Sequence, residues 1–196
     1  MVTRLVGIAS LLIALLASAC TATLYFPRGE LDPGSAELDS IRNEWYSSQL
    51  RAMAEPALVP QATSRTYRFT WLRTFHHPIA IRVVATPAQT KLIAELDGAG
   101  GYDPGNVLRR KEVALTADEF GQLEKLLQSH AFWSLPSHEK SFGLDGSEWI
   151  VEGATDKYHV VVRWSPESGP IRHLGEHFLS LAGWKVEPHE LYWGGT

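Results

Sequence analysis

The sequence predicts an α+β fold: one antiparallel sheet of about six strands packed by two or three helices, in a single domain. Three observations carry this reading. Short alternating apolar segments follow one another from Tyr67 to Leu115, separated by turn residues, which is the period-two signature of strands. A capping box, Thr116-Ala117-Asp118-Glu119, opens a helix after them, and a second helical pattern closes the chain. Strands run together with helices interspersed late, joined by short turns, and that order favours an antiparallel layer over alternating βαβ units.

The elements follow in order. A helix begins near Ser35, a good N-cap, with Glu37 and Asp39 beside its positive end. Leu38, Ile41 and Trp45 form its apolar stripe, continued by Tyr46, Leu50 and Met53. Glu55-Pro56 ends it, because the residue before proline resists the helical region. Tyr67, Phe69, Trp71 and Phe75 alternate with Arg68, Thr70 and Thr74 in a first strand; Ile79, Ile81 and Val83 alternate with Arg82 in a second. Leu92, Ala94 and Leu96 make a third, and Val107 to Leu115 a fourth. The capped helix turns Phe120, Leu123, Leu126 and Leu127 inward and ends near His130. A hairpin from Ser147 to Trp164 and a helix from about Pro170 to Ala182 complete the domain.

The hairpin carries the candidate binding surface. With Thr155 and Asp156 near its turn, Glu148 falls opposite Arg163 and Glu152 opposite His159, while Trp149, Val151, Val160 and Val162 share the other face. Opposed charges of this kind stabilise register by about 0.2–1 kcal/mol per pair. The same four residues, Glu148, Glu152, His159 and Arg163, form the polar face offered to a ligand. With Asp145 they are also the acids and histidine that a hydrolase acting on an envelope substrate would use.

Ahead of the domain, Arg4 precedes an uncharged apolar run from Leu5 to Leu16, then Ala17-Ser18-Ala19-Cys20. Charged start, apolar middle and small residues before a cut make a secretory signal. The segment resembles a bacterial lipoprotein signal, in which cleavage before a cysteine lets the thiol carry a lipid. Three fates stay open: lipoprotein cleavage after residue 19, ordinary cleavage at Ala17-x-Ala19, or retention of Leu5 to Phe26, which holds no charge, as an anchor. Cys20 is the sole cysteine, so no intramolecular disulfide forms. Lipidation would give that thiol a purpose and supply enough acyl chains for stable anchoring. The resemblance further implies outer-membrane sorting facing the periplasm, because Thr21 rather than Asp follows the cysteine. Residues 1–19 are thus read as signal, 20–34 as lipidated cysteine and tether, and 35–196 as the domain. The tether carries Pro27, Gly29, Pro33 and Gly34, and fourteen residues reach at most about 50 Å.

Composition excludes some classes of partner. A net charge of −4, with cations mostly single, argues against nucleic acid, and Arg109-Arg110-Lys111 is too short a footprint. With 44% hydrophobic and 20% charged residues, the chain can bury a core without staples. The catalytic lookalikes are weak. His173-Leu174-Gly175-Glu176-His177 matches the H-x-x-E-H order of inverzincin metalloproteases. Gly175 weakens that helix, Glu176 lies opposite Leu174, Phe178 and Leu181, and little chain follows to supply a third ligand. No metal and no cofactor are expected. His76-His77-Pro78 reads as a turn, and the glycine-rich stretch from Gly98 to Gly105 lacks the ending of a P-loop. No G-x-S-x-G elbow occurs.

Trp45-Tyr46-Ser47 with Glu55-Pro56, Phe132-Trp133-x-Leu135-Pro136, Gly143-Leu144-Asp145-Gly146-Ser147-x-Trp149 and Tyr158-His159-Val160-Val161-x-Arg163-Trp164-Ser165-Pro166 resemble a set of uncharacterised bacterial envelope proteins. The likeness runs from about Trp45 to Trp184. It implies one intact envelope domain and supplies no catalytic residue. The expectation is a membrane-anchored envelope lipoprotein whose domain binds a protein or small ligand, or serves structurally, without catalysis; a hydrolase is the alternative.

Overall fold

Period-two alternation resolves into six strands: β1 (Arg65–Arg73), β2 (Ile79–Ala85), β3 (Thr90–Asp97), β4 (Val107–Ala114), β5 (Ser147–Ala154) and β6 (Tyr158–Trp164). They form one sheet of order β4-β3-β2-β1-β5-β6, and every pairing is antiparallel. Helices α1 (Ala36–Ala52), α2 (Ala117–Ser129) and α3 (Pro170–Leu181) pack on it. The architecture is the single-domain α+β fold expected. The structure is a computed structural model and describes residues 23–97, 107–139, 143, 145–187 and 190. Cys20 and the loop from Gly98 to Gly105 lie outside the described residues. Among the described residues no helix is long and apolar enough to cross a membrane.

Both faces of the central strands are covered, so β1 is buried from Tyr67 to Arg73. On one face Tyr67, Phe69, Trp71, Trp149, Val151 and Val161 meet Phe120, Leu123 and Leu127 of α2 and Ile171, Leu174 and Phe178 of α3. Each such side chain contributes about 1.5–3 kcal/mol by leaving water. Trp149 lies at the centre, its ring 4.9 Å from Trp71 and 5.2 Å from Phe69. Helix α3 comes this close because it presents Gly175 to that cluster. A Cβ there would overlap the Trp149 ring and lie 2.8 Å from Phe69. The capping box of α2 forms as read: Thr116 Oγ1 accepts the Glu119 N–H and Glu119 accepts the Thr116 N–H.

The other face is covered by α1 and by the segment before it, and here two expectations are corrected. Leu38 and Ile41 are 45% and 57% exposed, so the stripe they define does not face the core. The buried face of α1 is Asp39, Asn43, Tyr46, Ser47, Gln49 and Leu50. Three of its polar members, Asp39, Asn43 and Ser47, bind backbone. The Asp39 carboxylate accepts the N–H groups of Gly29, Leu31 and Asp32 at 2.9, 3.0 and 3.2 Å. Asn43 accepts the Phe26 N–H and donates to the Phe26 carbonyl, and Ser47 Oγ accepts the Tyr25 N–H. Residues 25–32 are therefore a docked strap and not a free tether. Phe26 and Leu31 lie in the core with Tyr46, Leu50, Met53, Ile150, Val160 and Val162. Helix α1 ends in a Schellman-type turn, with Ala54 at φ 55° and the Glu55 N–H on the Leu50 carbonyl. That turn swings Glu55 onto the sheet.

Candidate functional site

The register of the β5–β6 hairpin differs from the one expected. Glu148 pairs with Trp164, Trp149 with Arg163, Glu152 with Val160 and Gly153 with His159. Three residues, Thr155 to Lys157, separate the paired Ala154 and Tyr158, one more than the expected pairs Glu148–Arg163 and Glu152–His159 imply. A slip of one residue exchanges the faces of one strand relative to the other. Glu148 and Glu152 thus share a face with Val160 and Val162 under α1, while His159 and Arg163 share the opposite face with Trp149. The four residues expected on one polar surface are split between two covered faces.

Each of the four has a local task. Glu152 is fully buried and bidentate with Arg68 of β1, at 2.7 and 2.8 Å. Tyr158 donates to the same carboxylate at 2.9 Å. Arg68 also donates to the Pro56 carbonyl at 2.6 Å and approaches Glu55 at 3.4 Å, and Glu55 accepts from Arg82 of β2 at 2.8 Å. Two guanidiniums and two carboxylates cancel formally, which is how charges survive burial. Burial works against charge on Arg68, yet Glu152 and Glu55 outweigh it and hold its pKa above the ordinary arginine value. This network, drawn from α1's end and four strands, was not legible as a unit: the sequence shows Arg68 and Arg82 only as alternating polar positions.

Glu148 is 8% exposed, between Leu72 of β1 and Trp164 of β6 in the register. Burial pushes its carboxyl up to about 7, against a partial pull downward from the nearby Tyr46 hydroxyl and Arg42 guanidinium. The Tyr46 hydroxyl, also buried, makes no hydrogen bond of standard geometry. His159 Nε2 meets the Leu135 carbonyl at 3.0 Å, and burial lowers its pKa. Arg163 binds the Pro136 carbonyl at 3.1 Å and pairs with Glu139 at 2.9 Å. Together these two fasten residues 135–139 along the outer edge of β6, where the Val162 N–H meets the Ser137 carbonyl at 2.7 Å.

The H-x-x-E-H lookalike does not converge. Glu176 is exposed and bound to Arg172 at 2.6 Å, and His177 is half-buried. His173 faces His130, the C-cap of α2, with Nδ1 and Nε2 3.3 Å apart. Among the described residues no group of three or more His, Cys, Asp or Glu could hold a metal ion. His76 and His77 fall in the β1–β2 turn, where Arg73 donates to the His77 carbonyl.

Among the open clefts of the described residues, two bear on function. One, of about 270 Å³, lies beside Arg163, Glu139, Trp164 and Pro170 and mixes both charges. The other, of about 360 Å³, is lined by Arg109 and Lys111 of β4 and by Ala182, Gly183, Trp184 and Lys185 after α3. Its described lining carries three cations and no carboxylate. The Arg109 guanidinium lies 4.4 Å over the Trp184 ring, a cation–π arrangement. Lys111 Nζ binds the Ala182 carbonyl at 3.0 Å, meeting the negative end of α3. Alternation along β4 sends Arg109 and Lys111 to the same face; sequence reading missed this because it counted the run only as a footprint for nucleic acid.

Against known proteins, the chain matches no family model, no curated protein and no solved structure.

Proposed function

We propose that this protein is a lipid-anchored domain of the bacterial envelope, held through Cys20 at the outer membrane facing the periplasm, which binds an anionic ligand without transforming it. The observation that carries the binding half is the cleft of Arg109, Lys111, Trp184 and Lys185: three cations and an indole face around about 360 Å³ with no acid in the described lining. Such a lining suits a phosphate or carboxylate joined to a planar or apolar group. Against the hydrolytic alternative, two of its five residues already have partners: Glu152 binds Arg68 and His159 meets the Leu135 carbonyl. Anchoring rests on the signal-like segment and the position of the sole cysteine. Thr23 follows Cys20 by three residues, a reach of at most about 10 Å, so an anchored domain would ride close to the bilayer.

Mass spectrometry of membrane-extracted protein tests the anchor: a mature chain beginning at acylated Cys20 is expected, and an intact residue 1–19 segment or a free thiol overturns it. Titration with inorganic pyrophosphate, read by tryptophan fluorescence with Trp184→Phe as control, tests the cleft. Charge reversal in Arg109→Glu should abolish the response while melting stays unchanged. A response that persists in Arg109→Glu overturns the assignment.

A further inference from the structure

We propose that His130 and His173 together chelate a late transition-metal ion at the junction of α2 and α3. His130 is the C-cap of α2 and His173 lies in the first turn of α3, where its N–H is the one that bonds the Gly169 carbonyl. The two helices thus bring the imidazoles together from positions 43 residues apart. His173 Nδ1 and His130 Nε2 are 3.3 Å apart, and the ring centroids are 5.2 Å apart with the planes tilted by 36°.

Those two distances fit the bite of a chelate. A tetrahedral ion about 2.05 Å from each nitrogen holds them about 3.3 Å apart and their ring centroids about 5.2 Å apart. An in-line N–H···N bond of the same length sets the centroids about 5.6 Å apart, because each centroid lies behind its nitrogen. The observed pair has the separation a chelate needs, and without an ion the same contact serves as a hydrogen bond. Imidazole nitrogens suit copper, nickel and zinc, and do not suit calcium or magnesium. Two protein ligands leave the remaining positions to water, so the ion exchanges and stays accessible from the surface. The site is distinct from the H-x-x-E-H lookalike: Glu176 is occupied by Arg172, and the partner of His173 comes from another helix.

The test is calorimetric titration of untagged, metal-stripped full-length protein, its thiol alkylated, with Cu²⁺, Ni²⁺ and Zn²⁺, and with Mg²⁺ as control. His130→Gln and His173→Gln should each weaken binding of the transition metals at least about tenfold, as loss of one of two ligands requires. His177→Gln should bind like the parent, and thermal melts of all three should show folded protein. Equal affinity in His130→Gln and the parent, equal loss in His177→Gln, or no heat with any of the three metals up to millimolar concentration overturns the proposal.

Discussion

Replacing Glu148 by Gln should change how stability depends on pH, by an amount the structure sets. The carboxyl sits at about 7 in the fold against an ordinary 4.5, with burial as the cause. That gap corresponds to about 3 kcal/mol. The sign follows from proton binding. Between pH 4.5 and about 7 the folded chain keeps the Glu148 proton and the unfolded chain has lost it, so each rise in pH favours unfolding. Below pH 4.5 both states are protonated and the penalty is absent; above about 7 it is complete. Glutamine has the shape of the protonated acid and never ionises. The variant should therefore match the parent near pH 4 and exceed it by about 3 kcal/mol near pH 8, or by about 6–12 °C in Tm for a domain of this size. Urea melts of both proteins from pH 4 to 8 give the difference directly. Glu119, Asp156 and Glu190, whose pKa values are lowered, contribute equally to both proteins and cancel. Parallel stability curves across that range would refute the burial of an ionising carboxyl at this position.

Two further outcomes follow from the packing. Glu152→Ala removes the bidentate partner of buried Arg68, leaving it only Glu55 at 3.4 Å and the Pro56 carbonyl, and should cost about 3–5 kcal/mol by urea melts, whereas Arg68→Met with Glu152→Leu should cost less than the single change; a loss under 1 kcal/mol in the single variant would mean the pair is solvated. Gly175→Ala gains about 1 kcal/mol in helix propensity but must push against the Trp149 and Phe69 rings, at about 1–3 kcal/mol; a rise in Tm would contradict the close approach of α3.

What could be read from the chain depended on whether an element's partner was local. The α2 box, Thr116 to Glu119, is self-contained and formed as written. The strands announced themselves by alternation, and the sheet followed. Helix α1 was misread because its inward face is polar in part: Asp39, Asn43 and Ser47 serve backbone amides 7 to 22 residues upstream, and apolar periodicity is blind to that. The strap was taken for a tether because its prolines and glycines resemble linker chemistry, although Phe26 and Leu31 were there to be buried. The hairpin existed as expected, but one additional turn residue redistributed its charged side chains. Glu152 then met Arg68, 84 residues away, a pairing that no spacing along the chain encodes. The candidate cleft and the His130–His173 pair share that property.

The strap has a mechanical consequence. From Thr23 to Asp32 it runs antiparallel to α1: the Thr23 carbonyl meets Arg51, Tyr25 meets Ser47, Phe26 meets Asn43, and Gly29 and Leu31 meet Asp39. Tension applied to the chain ahead of Thr23 loads these rungs one after another, starting at the far end of the helix. Pulled away from the helix, they open as a zipper does, each yielding alone, where a pull along the strap would share the load among all of them. The strap's two apolar plugs, Phe26 and then Leu31, come out in that order while the Trp149 side of the sheet stays closed. Pulled off in that way, the strap would uncover one layer before the rest of the molecule is loaded, so that tension is converted into exposure of one apolar face.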